Sequence, residues 1–393
     1  MTKKNGWFAV EANPLRKALA LARMVKSRNS HPILNFTLVQ TTQDFLVLTV
    51  TDLSTTLVLK LAAQIETPDT ALALPTLALS DWLATQPPNE RVTTTLNLET
   101  AMTTLQVGRA SARLRGIAAE EFPGLPPTPD GVSLELDGDE LTQGIRRVVF
   151  ASAKKDLRPA LEGVNMRIGD KALTLVAADG FQLAAEHLTI QDTVLDTPRH
   201  GIVPADALEL VAKLIQLEQQ TMSIEMDDTD VCPLVSMTLS ETHIQFRVGR
   251  HTVISTLIEG EYPRFDQVAG LEHPIQATLD PTHVVEALKA TAPFSTEGIA
   301  LTFAPDGLTM ASAEAQTGDL TVHIPLSATR ELATPLSVRI QSRFLRQVCA
   351  AIGSANELTI GLKATTPTES HEPVVLGLPS VPGWKYVVMP LVS

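Results

Sequence analysis

The sequence predicts an α+β chain of three repeated domains, each laying two helices on one face of antiparallel sheets, because three markers recur in a fixed order. The first is a strand-like run that feeds a turn and then a helical pattern. It occurs at Val10-Glu-Ala-Asn13-Pro-Leu15-Arg-Lys-Ala-Leu19, at Leu136-Asp137-Gly-Asp-Glu-Leu141-Thr-Gln-Gly-Ile145 and at Leu279-Asp280-Pro-Thr-His-Val284-Val-Glu-Ala-Leu288. The second is another strand-helix unit further along each third: Leu74-Pro75 to Leu79, Trp82 and Leu83; Val203-Pro204 to Leu208, Val211 and Ala212; Ile340-Gln341 to Leu345, Val348 and Cys349. Between them lies the third marker, an alternating strand ending in an acidic residue, at Leu48 to Asp52, Leu175 to Asp179 and Thr309 to Glu314.

Taken in order, these elements divide the chain into domains at 1–127, 128–270 and 271–393. In the first, Thr37-Leu-Val-Gln40 and Val92-Thr-Thr-Thr-Leu-Asn-Leu98 alternate as half-buried antiparallel strands do. The domain closes on an aromatic-Pro corner, Phe122-Pro123, followed by Gly124-Leu-Pro126-Pro127-Thr-Pro129-Asp-Gly131, turn chemistry that fits neither a helix nor a central strand. The second domain repeats the alternation at Val235 to Leu239 and His243 to Val248. It repeats the corner at Tyr262-Pro263 and ends in a linker from Val268 to Pro274. In the third, the Thr- and Pro-rich stretch from Ala364 to Pro373 reads as a mobile loop.

Two helices cover only one face of a sheet. Repeats joined head to tail, with sheets continuous across their junctions, therefore form a curved array with helices on one side. If the curvature closes, the helices line a hole and no sheet edge is left unpaired.

Composition excludes several classes. The chain has 393 residues, of which 44% are hydrophobic and 4% aromatic, enough apolar material for three cores and too much for global disorder. No apolar run is long enough to span a bilayer, and the N-terminus lacks the apolar core of a secretion signal, so a cytoplasmic protein is expected. Cys232 and Cys349 lie in different domains without CxxC spacing, which supports neither a disulfide framework nor a zinc site. The nine histidines show no metal-ligand spacing, and no Gly-rich phosphate loop, HExxH or GxSxG occurs, so no metal, cofactor or catalytic site is expected. Asp52, Asp179 and Glu314 recur with the fold, which suits a turn role in which the carboxylate accepts backbone N–H bonds.

The formal net charge of −13 argues against nucleic acid, but its distribution argues for it. Arg16, Lys17, Arg23, Lys26 and Arg28 form one basic group and Arg146, Arg147, Lys154, Lys155 and Arg158 another, on corresponding helices and the turns that follow them. Arg339, Arg343 and Arg346 add a third group.

An ordered set of short motifs resembles the bacterial DNA sliding clamp, the beta subunit of DNA polymerase III. The set is His31-Pro32-Ile33-Leu34, Thr51-Asp52-Leu53, Phe122-Pro123, Arg158 with Leu161-Glu-Gly163, Ala178-Asp179-Gly180 with Leu183-Ala184, Gly260-Glu-Tyr262-Pro263 and Tyr386-Val387-Val388-Met389-Pro390. The resemblance covers essentially the whole chain. It implies a head-to-tail homodimer forming a ring around double-stranded DNA, opened by a clamp loader, which tethers the polymerase alpha subunit and other clamp-binding-motif proteins without catalysis or membrane contact. By the same resemblance, the DNA-facing residues are Lys26, Arg28, Lys154, Lys155 and Arg158. The partner-peptide pocket is Leu161, Ala178, Gly180, Leu183, Pro263, Val268, Val387, Val388, Met389, Pro390 and Leu391, and the dimer interface is Ala112 and Leu114 against Pro293 and Phe294.

The chain departs from the family where Phe181-Gln182 replaces a His-Arg pair, where Gln267 replaces an Arg, and where Pro159-Ala160 replaces two aromatic residues. An alternative reading, a peptide-binding scaffold that does not encircle DNA, is motivated by the acidic balance and the missing aromatics. A hydrolase on an unrelated repeat fold is a third.

Overall fold

The computed structural model describes residues 5–25, 31–169, 171–190, 198–294, 298–314, 318–353 and 355–391. Its helices are α1 (Ala12–Ala22), α2 (Thr76–Ala84), α3 (Gly138–Val149), α4 (Ala205–Met226), the short α5 (Asp266–Ala269), α6 (Pro281–Thr291) and α7 (Ser342–Ile352).

Helices α1, α3 and α6 each begin two residues after Val10, Leu136 and Leu279, the shared register the repeats predict. Their buried faces follow from i, i+4 spacing: Leu15 and Leu19 in α1, Leu141 and Ile145 in α3, Val284 and Leu288 in α6. Acidic residues start two of them. The Glu140 N–H donates to Asp137 Oδ1 (3.0 Å) and the Thr282 N–H to Asp280 Oδ1 (2.8 Å), bonds that satisfy otherwise orphan donors.

The chain forms two compact units, Met1–Thr142 with Asp206–Leu257, and Gln143–Ala205 with Ile258–Ser393. Each holds one nine-stranded sheet and one smaller sheet. In the first unit the large sheet takes five strands from the first domain and four from the second, joined where Thr55–Ala62 pairs antiparallel with His251–Thr256. In the second it takes four strands from the second domain and five from the third, joined where Gln182–Thr189 pairs with Val381–Val388. The smaller sheets have five strands, ending at Ala110–Arg115, and four, ending at Gly318–Ile324.

The acidic strand ends act as turn acceptors. Asp52 Oδ1 receives the N–H groups of Ser54 (2.9 Å) and Thr55 (2.6 Å); Asp179 Oδ1 receives those of Phe181 and Gln182 (both 2.9 Å). The turn residue that follows has positive φ in both, 76° at Leu53 and 90° at Gly180. In the third repeat the strand runs on to pair Glu314 with Gly318.

The stretch from Ala364 to Pro373 carries no helix or extended strand. It is a hydrogen-bonded turn: the N–H groups of Thr365 and Thr366 donate to Glu369 O (both 3.0 Å), and Ser370 N–H donates to Ser337 O (2.8 Å). Polar composition there supplies local hydrogen-bond acceptors.

Candidate functional site

The second unit's nine-stranded sheet carries an apolar face whose rows follow from strand register. Ala178, Leu183, Val387 and Val375 stand opposite one another across four strands, and Val176, Ala185, Lys385 and Gly377 form the next row. The segment carrying Tyr262 and α5 packs over these rows. Phe265 is buried with Val176, Leu183, Ala185 and Val387, and Ala178, Tyr262, Val268, Leu271 and Val375 surround them partly exposed. Phe265 is held in place by an edge contact with Tyr262 (6.4 Å between ring centroids) and by the Arg167 guanidinium 4.9 Å over its ring. Arg167 in turn pairs with Asp266 (3.2 Å). The first domain packs its own corner in the same way, with Phe122 buried against Leu38 and Ala73.

Of the expected pocket residues, Ala178, Leu183, Val268 and Val387 come together here. Gly180 lies in the turn after Asp179, in the left-handed region that favours glycine, and Pro263 is exposed on the covering segment. Met389 is 46% exposed, while Pro390 and Leu391 are half-buried. Two backbone bonds fix this tail: Met389 N–H to Phe181 O (2.8 Å) and Leu391 N–H to Arg339 O (2.7 Å).

Three expected residues offer almost no surface, Val387 at 2% exposure among them. Val388 is 0% and Leu161 1% exposed. Successive strand residues point to opposite faces, so Val388 faces away from Val387. The apolar cluster also takes in Val176, Ala185, Tyr262, Phe265, Leu271 and Val375, which the resemblance did not name. The period of two that links Val176 to Ala178 and Ala185 to Leu183 was the signal that could have found the first two.

The opposite face of the same strands is polar and buried. Tyr386 Oη donates to Gln182 Oε1 (2.7 Å), and Gln182 Nε2 donates to Asp179 Oδ2 (3.1 Å), so the network ends at the turn that carries Gly180. Arg147 donates through Nε and Nη2 to both carboxylate oxygens of Glu186 (2.9 Å each), and Trp384 Nε1 donates to the Arg147 carbonyl (3.0 Å). Burial pushes the Glu186 carboxyl above the ordinary range, against the opposing pull of Arg147. Of the departure pair, Gln182 belongs to this interior while Phe181 sits 57% exposed.

The basic groups divide. Lys154 and Lys155 are exposed in the turn after α3. Arg158 is exposed too, but its Nε and its N–H both reach Asp156 Oδ1 (3.2 and 2.8 Å), which hold that carboxyl below the ordinary range. Lys26 and Arg28 lie outside the described residues. Arg147, counted with the second basic group, is withdrawn into the interior by Glu186, and Arg23 is paired with Asp81 (2.6 Å).

Ala112 and Leu114 are half-buried on the edge strand Ala110–Arg115 of the first unit. Pro293 is exposed and Phe294 half-buried in a 3-10 turn of the second unit, against the strands Gly307–Glu314 and Gly318–Ile324. Among the described residues no group of His, Cys, Asp or Glu is arranged to hold a metal ion, and no helix is long and apolar enough to cross a membrane.

Two family models match the chain: the DNA polymerase III beta subunit N-terminal domain over residues 7–126 and the central domain over 135–264. The chain is 28% identical to the beta sliding clamp of Synechococcus elongatus, over 96% of this chain and 97% of that one. It is 25% identical to the beta sliding clamp of Caulobacter vibrioides, over 98% and 99%. Among solved structures, DNA polymerase III subunit beta from Pseudomonas aeruginosa shares the fold with a TM-score of 0.82 at 23% identity, covering 98% of this chain and all of that one. The sliding clamp from the same organism bound to griselimycin gives 0.84, also at 23% identity, over 99% and 100%.

Proposed function

The chain belongs to the DNA polymerase III beta subunit family, the bacterial DNA sliding clamps, and from this premise we infer that it forms a homodimeric ring around duplex DNA and tethers the replicative polymerase. The relatives by sequence carry the beta sliding clamp name over nearly their whole length, which leaves the non-encircling scaffold reading without support.

The observation that carries the ring is the arithmetic of the sheets. Each nine-stranded sheet combines five strands of one domain with four of its neighbour; the two sheets left over have five and four strands and, among the described residues, end on unpaired edges. Joining Ala110–Arg115 of one copy to Gly318–Ile324 of another completes the same pattern and removes both edges. Ala112 and Leu114 then lie in that junction, with Phe294 beside it. The repeat boundaries at 127 and 270 are the domain limits of this arrangement.

Lys26, Arg28, Lys154, Lys155 and Arg158 supply the DNA-facing charge in this reading. Phosphate contacts hold without reading bases, so a ring lined by them slides. The groove around Leu183, Val268, Val387 and Met389 takes the linear peptides of the alpha subunit, the clamp loader and other partners. Its apolar side chains and thioether suit adaptable recognition. The chain acts as a processivity factor without catalysis of its own: Asp52 and Asp179, two of its three recurrent carboxylates, are engaged as turn acceptors. A cytoplasmic site of action accords with this work on DNA.

Light scattering across a dilution series tests the ring. The chain is 42.3 kDa, and a mass near double is expected. Leu114→Asp, which places a charge in the joined edge, should yield the monomer without loss of fold; a variant that stays double in mass refutes this edge as the junction.

A further inference from the structure

The groove does not end at Phe265. Beyond it lies a cavity of about 310 Å3, lined by Ala185, His187, Phe265, Asp266, Gly383 and Lys385 among others. It exists because the sheet floor there lacks side chains. A Cβ at Gly383 would stand 2.7 Å from the His187 carbonyl oxygen, so only glycine lets the two strands approach. Lys385 stands between Ala185 and Gly377 in the ladder, and a Cβ at Gly377 would meet nothing within 4 Å.

Two residues of the lining carry formal charge, Asp266 and Lys385, and they are not paired with each other. Asp266 is engaged by Arg167 (3.2 Å). His187 uses Nδ1 on the Thr174 hydroxyl (2.9 Å), and its Nε2 has no partner among the described residues. The Lys385 ammonium has no partner there either. Lys385 is half-buried, so a carboxylate meeting it would be only partly screened by water. With Asp266 taken up by Arg167, Lys385 is left, among the described residues, as the free charge beside an aromatic wall, in a chain of net charge −13.

We propose that the cavity is a second subsite of the partner groove and receives an acidic side chain, Asp or Glu, of the same docked peptide. This rests on the groove reading above. Charge complementarity and continuity carry it: Leu183 of the groove and Ala185 and His187 of the cavity are alternate residues on one face of one strand. At roughly 3.4 Å per residue they place the two subsites about 7 to 14 Å apart. An extended peptide covers that span with two to four residues, which sets the acid that far from its apolar anchor.

The test uses the full-length protein and fluorescein-labelled peptides that carry Leu-Phe as the anchor, with a run of three Glu or three Gln beginning two residues before or after it. Fluorescence anisotropy should show one Glu peptide binding about fivefold tighter than its Gln counterpart, despite the protein's overall negative charge. Lys385→Gln should erase that preference and leave the Gln peptide unchanged, and Lys385→Arg should keep it. Equal binding of Glu and Gln peptides by the unaltered protein overturns the subsite alone, as does a preference that survives Lys385→Gln. Binding of no peptide, or binding insensitive to Val268→Asp, overturns the groove and the subsite together.

Discussion

Replacing Arg147 by Met tests whether the buried ion pair beneath the groove holds its strand in place. The Glu186 side chain is 1% exposed and that of Arg147 12%, and the two meet through paired 2.9 Å bonds. Methionine preserves much of the aliphatic stem but leaves the carboxylate without its counter-charge. Breaking one side of such a pair costs about 3–5 kcal/mol, because the remaining charge stays desolvated. For a folded unit of roughly two hundred residues this corresponds to a fall in melting temperature of about 6–20 °C.

The pH dependence carries a definite sign. Burial already raises the Glu186 carboxyl, and removing Arg147 removes the influence that opposes the rise. A group raised in the folded state contributes most below its unfolded value and loses that contribution as pH climbs through the folded value. The penalty of Arg147→Met is therefore expected to be small near about pH 5 and to grow toward about pH 8. Urea denaturation monitored by circular dichroism at both pH values measures it, and Glu186→Gln in the Met background should recover most of the loss. A penalty under about 1 kcal/mol at the higher pH, or one that is flat with pH, refutes the reasoning. Glu186 lies between Ala185 and His187 on the strand, so the loss should also weaken peptide binding in the groove.

The remaining predictions are more local. Gly180 has φ +90°, so Gly180→Ala should destabilise by about 1 kcal/mol and reduce peptide affinity, as read by thermal melting and anisotropy. Leu53 occupies the corresponding turn at φ +76° with its side chain 54% exposed, and Leu53→Gly should be neutral or stabilising by up to about 1 kcal/mol. Lys154→Glu with Lys155→Glu should leave the melting temperature nearly unchanged, abolish loader-dependent retention on circular DNA and flatten the salt dependence of DNA binding; unchanged retention sinks that part of the lining. Deleting Met389 to Ser393 should abolish capture of the polymerase peptide, and normal capture would refute the groove assignment.

By itself, the sequence determined what is local or repeated. Helix starts at Ala12, Gly138 and Pro281 were legible because i, i+4 spacing lies within one stretch of chain, as were the turns at Asp52 and Asp179, whose acceptors reach only two or three residues ahead. The ordered motifs carried the family. Tertiary structure alone decided what depends on distant partners. Thr55–Ala62 adjoins His251–Thr256 across two hundred residues, and the final strand is shared between domains, pairings that no local period specifies. Val387 and Val388 are the same residue type side by side, and only register sets one on the sheet face packed by Phe265 and the other on the opposite face. Arg147 reads as a surface cation until the fold brings Glu186, thirty-nine residues away, against it. Pairing across a sheet is fixed by the energy of the whole assembled face, and the chemistry of a site at its seam is fixed with it.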